Sequence, residues 1–221
     1  MEDLNTAPFK MDSSASTSRL TIRLNEVSKK FGSVWIFKGI SARFETGKKY
    51  AITGANGSGK STLLKIIAGI ITPNAGAIKL EMNGSDLDIL QLYKEVSYCA
   101  PYLELPEELT LAELLVFHEG LRKLNISSAE LIKLLQLDPD KEIRNYSSGM
   151  KQRLKLALAF YTEAKVLLLD EPTANLDEHW TNWYLQLMQK PMPEKLVIIC
   201  SNLHAEYSFC DSVLNIDSFK K

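Results

Sequence analysis

The sequence predicts an α/β protein built on a mostly parallel β-sheet, and two observations lead to this fold class. Short apolar segments typical of buried strands alternate with amphipathic segments typical of helices along most of the chain. In addition, residues 54–62 read Gly-Ala-Asn-Gly-Ser-Gly-Lys-Ser-Thr and fit G-x-x-x-x-G-K-[ST], the phosphate-binding P-loop. A short apolar strand precedes this P-loop and a helix follows it, which is the context that the motif requires.

The composition sets bounds on the class of protein. A chain of 221 residues is long enough for one large domain with a real core. The formal charge of −1 gives no general electrostatic case for binding nucleic acid or an anionic membrane surface. The three cysteines predict reduced thiols rather than a disulfide or zinc framework. No secretory signal is expected, and the longest apolar runs are far shorter than the roughly 18 residues of a membrane helix. The true start is left open between Met1 and Met11.

The N-terminal part predicts an antiparallel β-subdomain. Residues 1–19 are polar and predict a mobile tail. Residues 20–27 alternate between apolar and polar side chains, which predicts a half-buried strand that residues 29–32 break. The alternation returns at residues 40–44, and the turn at residues 45–48 leads into the strand before the P-loop.

A helical insert is expected in the middle of the chain. Before it, the patterns predict a turn at residues 72–76 and a strand at residues 77–82. They then predict a helical or irregular segment at residues 87–94 and a strand at residues 95–99 that runs into Pro101. Leucines then recur at helical spacing over residues 110–137, so we place the insert at about residues 102–163. Thr110 and Glu113 fit a capping box, and Ser127 or Ser128 can cap the second helix.

The C-terminal part returns to alternating strands and helices. The predicted elements are a helix, a buried strand, a helix, a buried strand and a last strand, at residues 146–163, 165–170, 178–189, 196–200 and 213–216. Residues 218–221 are expected to be a tail.

The P-loop residues carry a specific chemistry. Glycines at positions 54, 57 and 59 allow the tight turn, so that backbone N–H groups point at an anion together with the positive end of the next helix. Lys60 can reach the β- and γ-phosphates, and the Ser61 hydroxyl can hold Mg²⁺. The alternative is a chance glycine turn that opens an ordinary helix. The P-loop therefore indicates a nucleoside triphosphate.

Two carboxylates follow an apolar strand downstream. Residues 166–169 are apolar and lead into Asp170 and Glu171, which places both acids at the ligand-binding edge of a parallel sheet. In P-loop enzymes such an Asp helps to hold Mg²⁺. Glu171 is the candidate that polarises the attacking water. The alternative, a strand that ends in a solvated acidic turn, is common for an isolated Asp-Glu pair.

A second helix N-terminus is a further candidate anion site. Residues 146–153, Tyr-Ser-Ser-Gly-Met-Lys-Gln-Arg, place small residues before an amphipathic helix. Taken alone, the segment favours simple N-capping by Ser147 or Ser148.

Together these motifs make residues 20–217 resemble the nucleotide-binding domain of an ATP-binding cassette (ABC) transporter. The P-loop, residues 146–153 in the place of the family's signature, and residues 167–177 (LLLDEPTANLD) in the place of its Walker B motif and D-loop occur in the family's order and spacing. The resemblance implies a RecA-like P-loop NTPase core, an N-terminal antiparallel β-subdomain and a small α-helical insert.

The resemblance also implies roles for individual residues. Glu171 corresponds to the catalytic glutamate, Ser61 and Asp170 to the Mg²⁺ ligands, and Asp177 to the D-loop aspartate that touches the opposite subunit. Ser147, Ser148 and Gly149 correspond to signature positions that close on the γ-phosphate of ATP bound to a partner. The implied ATP-binding residues are Phe31, Gly54, Ala55, Asn56, Gly57, Ser58, Gly59, Lys60, Ser61 and Thr62. Phe31 would stack on adenine; otherwise it is a core or turn aromatic.

Three positions depart from the family pattern. The signature reads Tyr-Ser-Ser-Gly-Met instead of Leu-Ser-Gly-Gly-Gln. Pro101 stands where the family has its Q-loop glutamine, and proline has no side-chain amide. Asn202 stands at the switch histidine, with His204 as the alternative if the loop is shifted. We therefore expect slow hydrolysis.

The function expected from this resemblance is the ATP-hydrolysing subunit of an ABC transporter. It would use ATP and Mg²⁺, form a homo- or heterodimer around the nucleotides, and drive separate transmembrane permease subunits at the cytoplasmic face of the membrane, without nucleic acid. The alternatives are a soluble ABC ATPase of translation or DNA repair, or a catalytically degenerate partner in a heterodimer. The transported substrate and its direction are not encoded in these motifs.

Overall fold

The computed structural model describes residues 19–88 and 91–220, and these residues form two β-sheets with helices packed between and around them. The first sheet is antiparallel, with the strand order β2-β1-β4-β5. Its strands are β1 (Leu20–Phe31), β2 (Val34–Glu45), β4 (Ala75–Met82) and β5 (Ser85–Leu87). Because apolar residues alternate along β1 and β2, one face of this sheet is buried and the other is open.

The second sheet is parallel and has the order β6-β7-β8-β3-β9. Its strands are β3 (Lys49–Thr53), β6 (Val96–Cys99), β7 (Val166–Asp170), β8 (Leu196–Cys200) and β9 (Ser212–Asn215). Every residue of β7 and β8 is buried, as expected for strands covered on both faces. The carboxyl ends of β3, β7 and β8 therefore meet at one edge.

Within the described residues, six α-helices connect these strands. They are α1 (Lys60–Ile67), α2 (Leu92–Glu95), α3 (Leu111–Leu121), α4 (Ser128–Leu135), α5 (Ser148–Tyr161) and α6 (Glu178–Gln189). The predicted capping box of α3 is confirmed: the Thr110 hydroxyl accepts from the Glu113 N–H, and the Glu113 carboxylate accepts from the Thr110 N–H at 2.8 Å. Ser127, rather than Ser128, caps α4 in the same way.

The parallel sheet separates two hydrophobic cores. Leu167 and Leu169 face a core shared with α3, α4, α5 and α6. Val166 and Leu168, which point the other way, face a core shared with α1 and the antiparallel sheet. The two-residue period of a strand produces this division.

Several predicted boundaries are wrong. Lys29 to Phe31 do not break the first strand, because β1 continues to Phe31 by pairing with β2 across irregular register shifts. The predicted helical or irregular segment at residues 87–94 begins at the last residue of β5, and its helix is the single turn α2. The last strand ends at Asn215, and Ile216–Phe219 forms a 3₁₀ turn where a tail was expected from residue 218. Residues 1–18 of the predicted tail lie outside the described part.

The three cysteines are free thiols, as predicted. Burial raises the pKa of Cys99 and of Cys210 to about 12, so both are unreactive near neutral pH. Among the helices that the structure describes, none is long and apolar enough to cross a bilayer.

Candidate functional site

The P-loop, residues 54–62, bends tightly between β3 and α1. Gly54, Gly57 and Gly59 have φ values of 147°, 74° and 102°, a region in which a Cβ is strained. A Cβ at Gly54 would also lie 2.6 Å from Ile216 Cγ2. Gly59 is the N-cap of α1, so the first N–H groups of that helix open toward the loop.

Lys60 lies across this loop. Its side chain is buried, and its ammonium donates to the carbonyl oxygens of Gly54 at 2.8 Å and Ala55 at 3.2 Å. The charge is therefore held inside the turn, beside the backbone N–H groups of the P-loop. The Ser58 hydroxyl is buried in the same loop without a hydrogen-bond partner among the described residues.

A cleft of about 250 Å³ opens over the P-loop. It brings together seven consecutive predicted P-loop residues and the predicted catalytic Glu171. Its lining consists of Ile36, Asn56, Gly57, Ser58, Gly59, Lys60, Ser61, Thr62 and Glu171.

Asp170 is the last residue of β7, and the residue is 1 % exposed. The Tyr102 hydroxyl donates to Oδ2 at 3.0 Å, whereas Oδ1 has no hydrogen-bond partner in the described part. Burial raises the pKa of this carboxyl group, and hydrogen bonds from Ser61 and Tyr102 partly oppose that shift.

These oxygens fit a hard cation. Mg²⁺ prefers oxygen ligands and usually takes one or two carboxylates together with substrate phosphates and water. The buried, unpartnered Oδ1 of Asp170 and the nearby Ser61 hydroxyl supply such oxygens. The described residues contain no group of three or more His, Cys, Asp and Glu side chains that could hold a metal ion by themselves.

Glu171 follows Asp170 with a φ of 44°, the left-handed region that costs a non-glycine residue on the order of 1 kcal/mol. Its N–H donates to the carbonyl oxygen of Cys200 on β8 at 2.8 Å, which holds this conformation. The side chain is exposed and lines the P-loop cleft. A carboxylate directed into a phosphate-binding cleft can accept a proton from water.

The segment after β8 also reaches the P-loop. The Asn202 amide donates to the side-chain oxygen of Asn56 at 2.5 Å. His204 lies in the 3₁₀ turn His204–Glu206, where its ring packs edge-on against Tyr207 at 5.3 Å. The hydrogen bond from Asn202 to the P-loop favours Asn202 over His204 as the residue near a γ-phosphate.

The signature segment, residues 146–150, lies at the start of α5 next to the D-loop. Ser147 caps α5 by accepting from the Met150 N–H at 3.2 Å, and a Cβ on Gly149 would lie 2.8 Å from the Asn175 carbonyl oxygen. Asp177 caps α6 by accepting from the Trp180 N–H at 2.9 Å.

These residues line a second cleft of about 300 Å³, which shares no lining residue with the P-loop cleft. Its lining consists of Ser147, Ser148, Gly149, Met150, Arg153, Asn175, Leu176, Asp177 and Trp180.

Two predicted positions lie apart from the P-loop cleft. Phe31 is 55 % exposed at the end of β1, with the Lys29 ammonium over its ring, and it does not line the cleft. Pro101 does not line the cleft either, and its carbonyl oxygen accepts from the Lys155 ammonium at 2.7 Å, as that of Leu103 does at 3.1 Å.

Two further residues, which the sequence did not reveal, contact the site. Tyr102 reaches Asp170, and the Asp217 carboxylate accepts from the Ala55 N–H at 2.8 Å. This N–H and the Lys220 ammonium lower the pKa of Asp217. Tyr102 follows a strand next to β7, so the sheet order could have indicated it. The partners Ala55 and Asp217 are 162 positions apart, and nothing local indicates that contact.

Comparison with known proteins agrees with this geometry. The ABC transporter family model matches residues 37–174. The chain is 34 % identical over 183 residues to a probable sulfate/thiosulfate import ATP-binding protein CysA of Chlorella vulgaris, covering 77 % of each chain. It is 31 % identical over 209 residues to the energy-coupling factor transporter ATP-binding protein EcfA1 of Thermotoga maritima, covering 90 % of this chain and 79 % of that protein. It spans about half the length of several longer relatives.

A solved structure shows the same fold. The dimeric, post-hydrolysis ATP-binding cassette MJ0796, bound to ADP and phosphate, superposes with a TM-score of 0.72 at 24 % identity, covering 88 % of this chain and 93 % of that one.

Proposed function

This chain belongs to the ABC transporter family, and on that premise we propose that its P-loop cleft binds Mg²⁺-ATP and that Glu171 directs the water that hydrolyses it. It is the ATP-binding subunit of such a transporter and an ATPase. The observation that supports the proposed mechanism is the meeting of Lys60, Asp170 and Glu171 at one edge of the parallel sheet.

Each residue has a defined task in this mechanism. The N–H groups of the P-loop and the Lys60 ammonium bind the β- and γ-phosphates. Ser61 and Asp170 would hold Mg²⁺, which would neutralise charge on the phosphates. Glu171 accepts the proton of a water whose oxygen attacks the γ-phosphorus, and the bond from that phosphorus to the bridging oxygen breaks, leaving ADP and phosphate. Asn202 donates a hydrogen bond to the γ-phosphate.

The signature cleft requires a second subunit. Because it shares no lining residue with the P-loop cleft, we infer that it acts on the nucleotide of another chain. A head-to-tail dimer would place it over the partner's ATP, with the N-terminus of α5 facing the γ-phosphate. The dimeric structure of MJ0796 supports this assembly.

The dimer would act on separate membrane subunits. Closure around two ATP molecules and reopening after hydrolysis would move those subunits, and the chain would be held at the cytoplasmic face of the membrane by them. The names of the relatives, which include sulfate/thiosulfate import and energy-coupling factor proteins, support coupling to transport.

Turnover should be slow. Pro101 supplies no side-chain donor or acceptor, and Asn202 supplies an uncharged one. The charge that develops at the γ-phosphate in the transition state is therefore stabilised less than it would be by the family's switch histidine and Q-loop glutamine. A nearly inactive parent that still binds ATP would instead favour a degenerate subunit of a heterodimer.

Glu171→Gln tests the mechanism. We expect the variant to lose at least about 100-fold in kcat, because the proton acceptor is gone, while ATP binding measured by equilibrium dialysis persists. Glu108→Gln, which removes an exposed carboxylate before α3, should hydrolyse ATP as the parent does. Equal hydrolysis by Glu171→Gln and the parent would refute the role of Glu171, and a parent that does not bind ATP would refute the function.

A further inference from the structure

We propose that Tyr102 is a positioning residue of the ATP site, whose hydroxyl fixes the Asp170 carboxylate so that Oδ1 is the oxygen offered to the metal ion of the nucleotide. This inference rests on the proposed function. It assigns a role in the site to the loop after β6, where Pro101 has no side-chain amide to contribute.

The two oxygens of Asp170 have different environments. Oδ2 accepts from the Tyr102 hydroxyl at 3.0 Å, whereas Oδ1 is buried and has no hydrogen-bond partner among the described residues. Since a buried polar atom without a partner is costly, Oδ1 is the oxygen with unused binding capacity. The Tyr102 bond thus occupies Oδ2 and, with the Ser61 hydroxyl that also bonds to this carboxylate, leaves Oδ1 available.

Tyr102 is itself held in place by two groups from different elements. Its hydroxyl is hydrogen-bonded to the Tyr98 hydroxyl on β6, and the Lys65 ammonium on α1 lies 4.1 Å from the centroid of its ring. A tyrosine has one hydroxyl proton. Because the proton of Tyr102 goes to Asp170, Tyr98 must donate to Tyr102, so the bonds run in one direction from Tyr98 to Tyr102 to Asp170.

The contact has little value as packing. Tyr102 is 45 % exposed, and removing its hydroxyl leaves the ring and its contact with Lys65 intact. Its substitution by phenylalanine therefore removes the bond to Asp170 with a small effect on the core. This separates a positioning role from a structural one.

The test uses Mn²⁺ as a spectroscopic substitute for Mg²⁺. Free Mn²⁺ is measured by electron paramagnetic resonance in the presence of the 221-residue chain and ATP, and ATP binding is measured separately in EDTA. We expect Tyr102→Phe to weaken Mn²⁺ binding in the ATP complex about fivefold, the value of one lost hydrogen bond, with unchanged ATP affinity in EDTA.

Two variants provide controls. Tyr98→Phe should weaken Mn²⁺ binding in the same direction but less, because it removes only the donor to Tyr102. Tyr93→Phe, at an exposed tyrosine of α2, should match the parent.

The outcomes that would overturn the proposal are distinct. The proposal is overturned if Tyr102→Phe binds Mn²⁺ as tightly as the parent or more tightly. It is also overturned if Tyr102→Phe loses as much ATP affinity in EDTA as it loses Mn²⁺ affinity. A parent that binds no ATP would remove the proposed function as well, whereas normal Mn²⁺-ATP binding by both proteins would remove only the role of Tyr102.

Discussion

At the scale of single residues, the segment after β8 brings a neutral side chain, that of Asn202, to the P-loop. The Asn202 amide already contacts Asn56 of the P-loop. An amide donates hydrogen bonds without a charge, and its state does not change with pH, in contrast to an imidazole with a pKa of about 6.5. The contribution of this position to catalysis should therefore be modest and insensitive to pH near neutrality.

Alanine variants of Asn202 and His204 test this assignment. We expect Asn202→Ala to lower kcat about fivefold, because one hydrogen bond to the transferred phosphate is lost. His204→Ala, in the 3₁₀ turn beside Tyr207, should stay within about twofold of the parent if its ring only packs there. Steady-state phosphate release measures both. A larger loss for His204→Ala would assign the switch position to His204.

At the scale of secondary-structure elements, two helix N-termini have the same kind of cap and different surroundings. Ser147 caps α5 by accepting from Met150, and Ser127 caps α4 by accepting from Glu130. The N-terminus of α5 opens into the signature cleft, whereas α4 belongs to the helical core. Both serines should therefore contribute to stability, but only Ser147 should contribute to function.

Ser147→Ala and Ser127→Ala form a matched pair for this purpose. Each should lower the free energy of unfolding by about 1 kcal/mol, the usual value of an N-cap, as measured by urea denaturation. In the Glu171→Gln background, only Ser147→Ala should weaken ATP-induced dimers, detected by size-exclusion chromatography. An equal effect of both serines on dimerisation would show that α5 has no specific contact with the nucleotide.

At the scale of the whole molecule, a buried lysine connects the start of β8 to the end of α5. The Lys195 ammonium, just before β8, donates to the carbonyl oxygens of Phe160 at 3.1 Å and Thr162 at 3.3 Å, at the end of α5. Burial lowers the pKa of Lys195 to about 8. In the unfolded chain the pKa returns to about 10.4, so between these values the unfolded state binds more protons.

Stability should therefore rise with pH across this window. Below pH 8 the folded protein carries the cost of a buried charge, and this cost disappears as pH rises above the folded pKa. Between pH 7.5 and 9.5 we expect the free energy of unfolding of the parent to increase by about 1–2 kcal/mol relative to Lys195→Met, measured by urea denaturation. Lys133→Met, at an exposed lysine of α4, should keep the parent's pH dependence.

Sequence reasoning succeeded where the determinants are local. The P-loop turn needs glycines at three nearby positions, and the α3 cap needs residues three apart, so both can be read from short segments. The apolar runs also identified two strands that are buried on both faces, β7 and β8. The roles of Phe31 and of the signature serines in binding ATP stay predictions.

The features that could not be predicted from the sequence depend on contacts between residues far apart in the chain. The continuation of β1 to Phe31 depends on pairing with β2, which overrides the local signal of Lys29 and Lys30. Tyr102 meets Asp170 across 68 positions, and Asp217 meets Ala55 across 162. Such contacts depend on which strands become neighbours, and a pattern of single residues contains no information about that.

The position of β3 in its sheet has a consequence for biosynthesis. This strand leads directly into the P-loop, but its two neighbours are β8 and β9, which a ribosome produces more than 140 residues later. Until those strands emerge, β3 has unpaired edges and Asp217 cannot bind Ala55. We therefore expect the complete nucleotide pocket to form only after β8 and β9 have been translated.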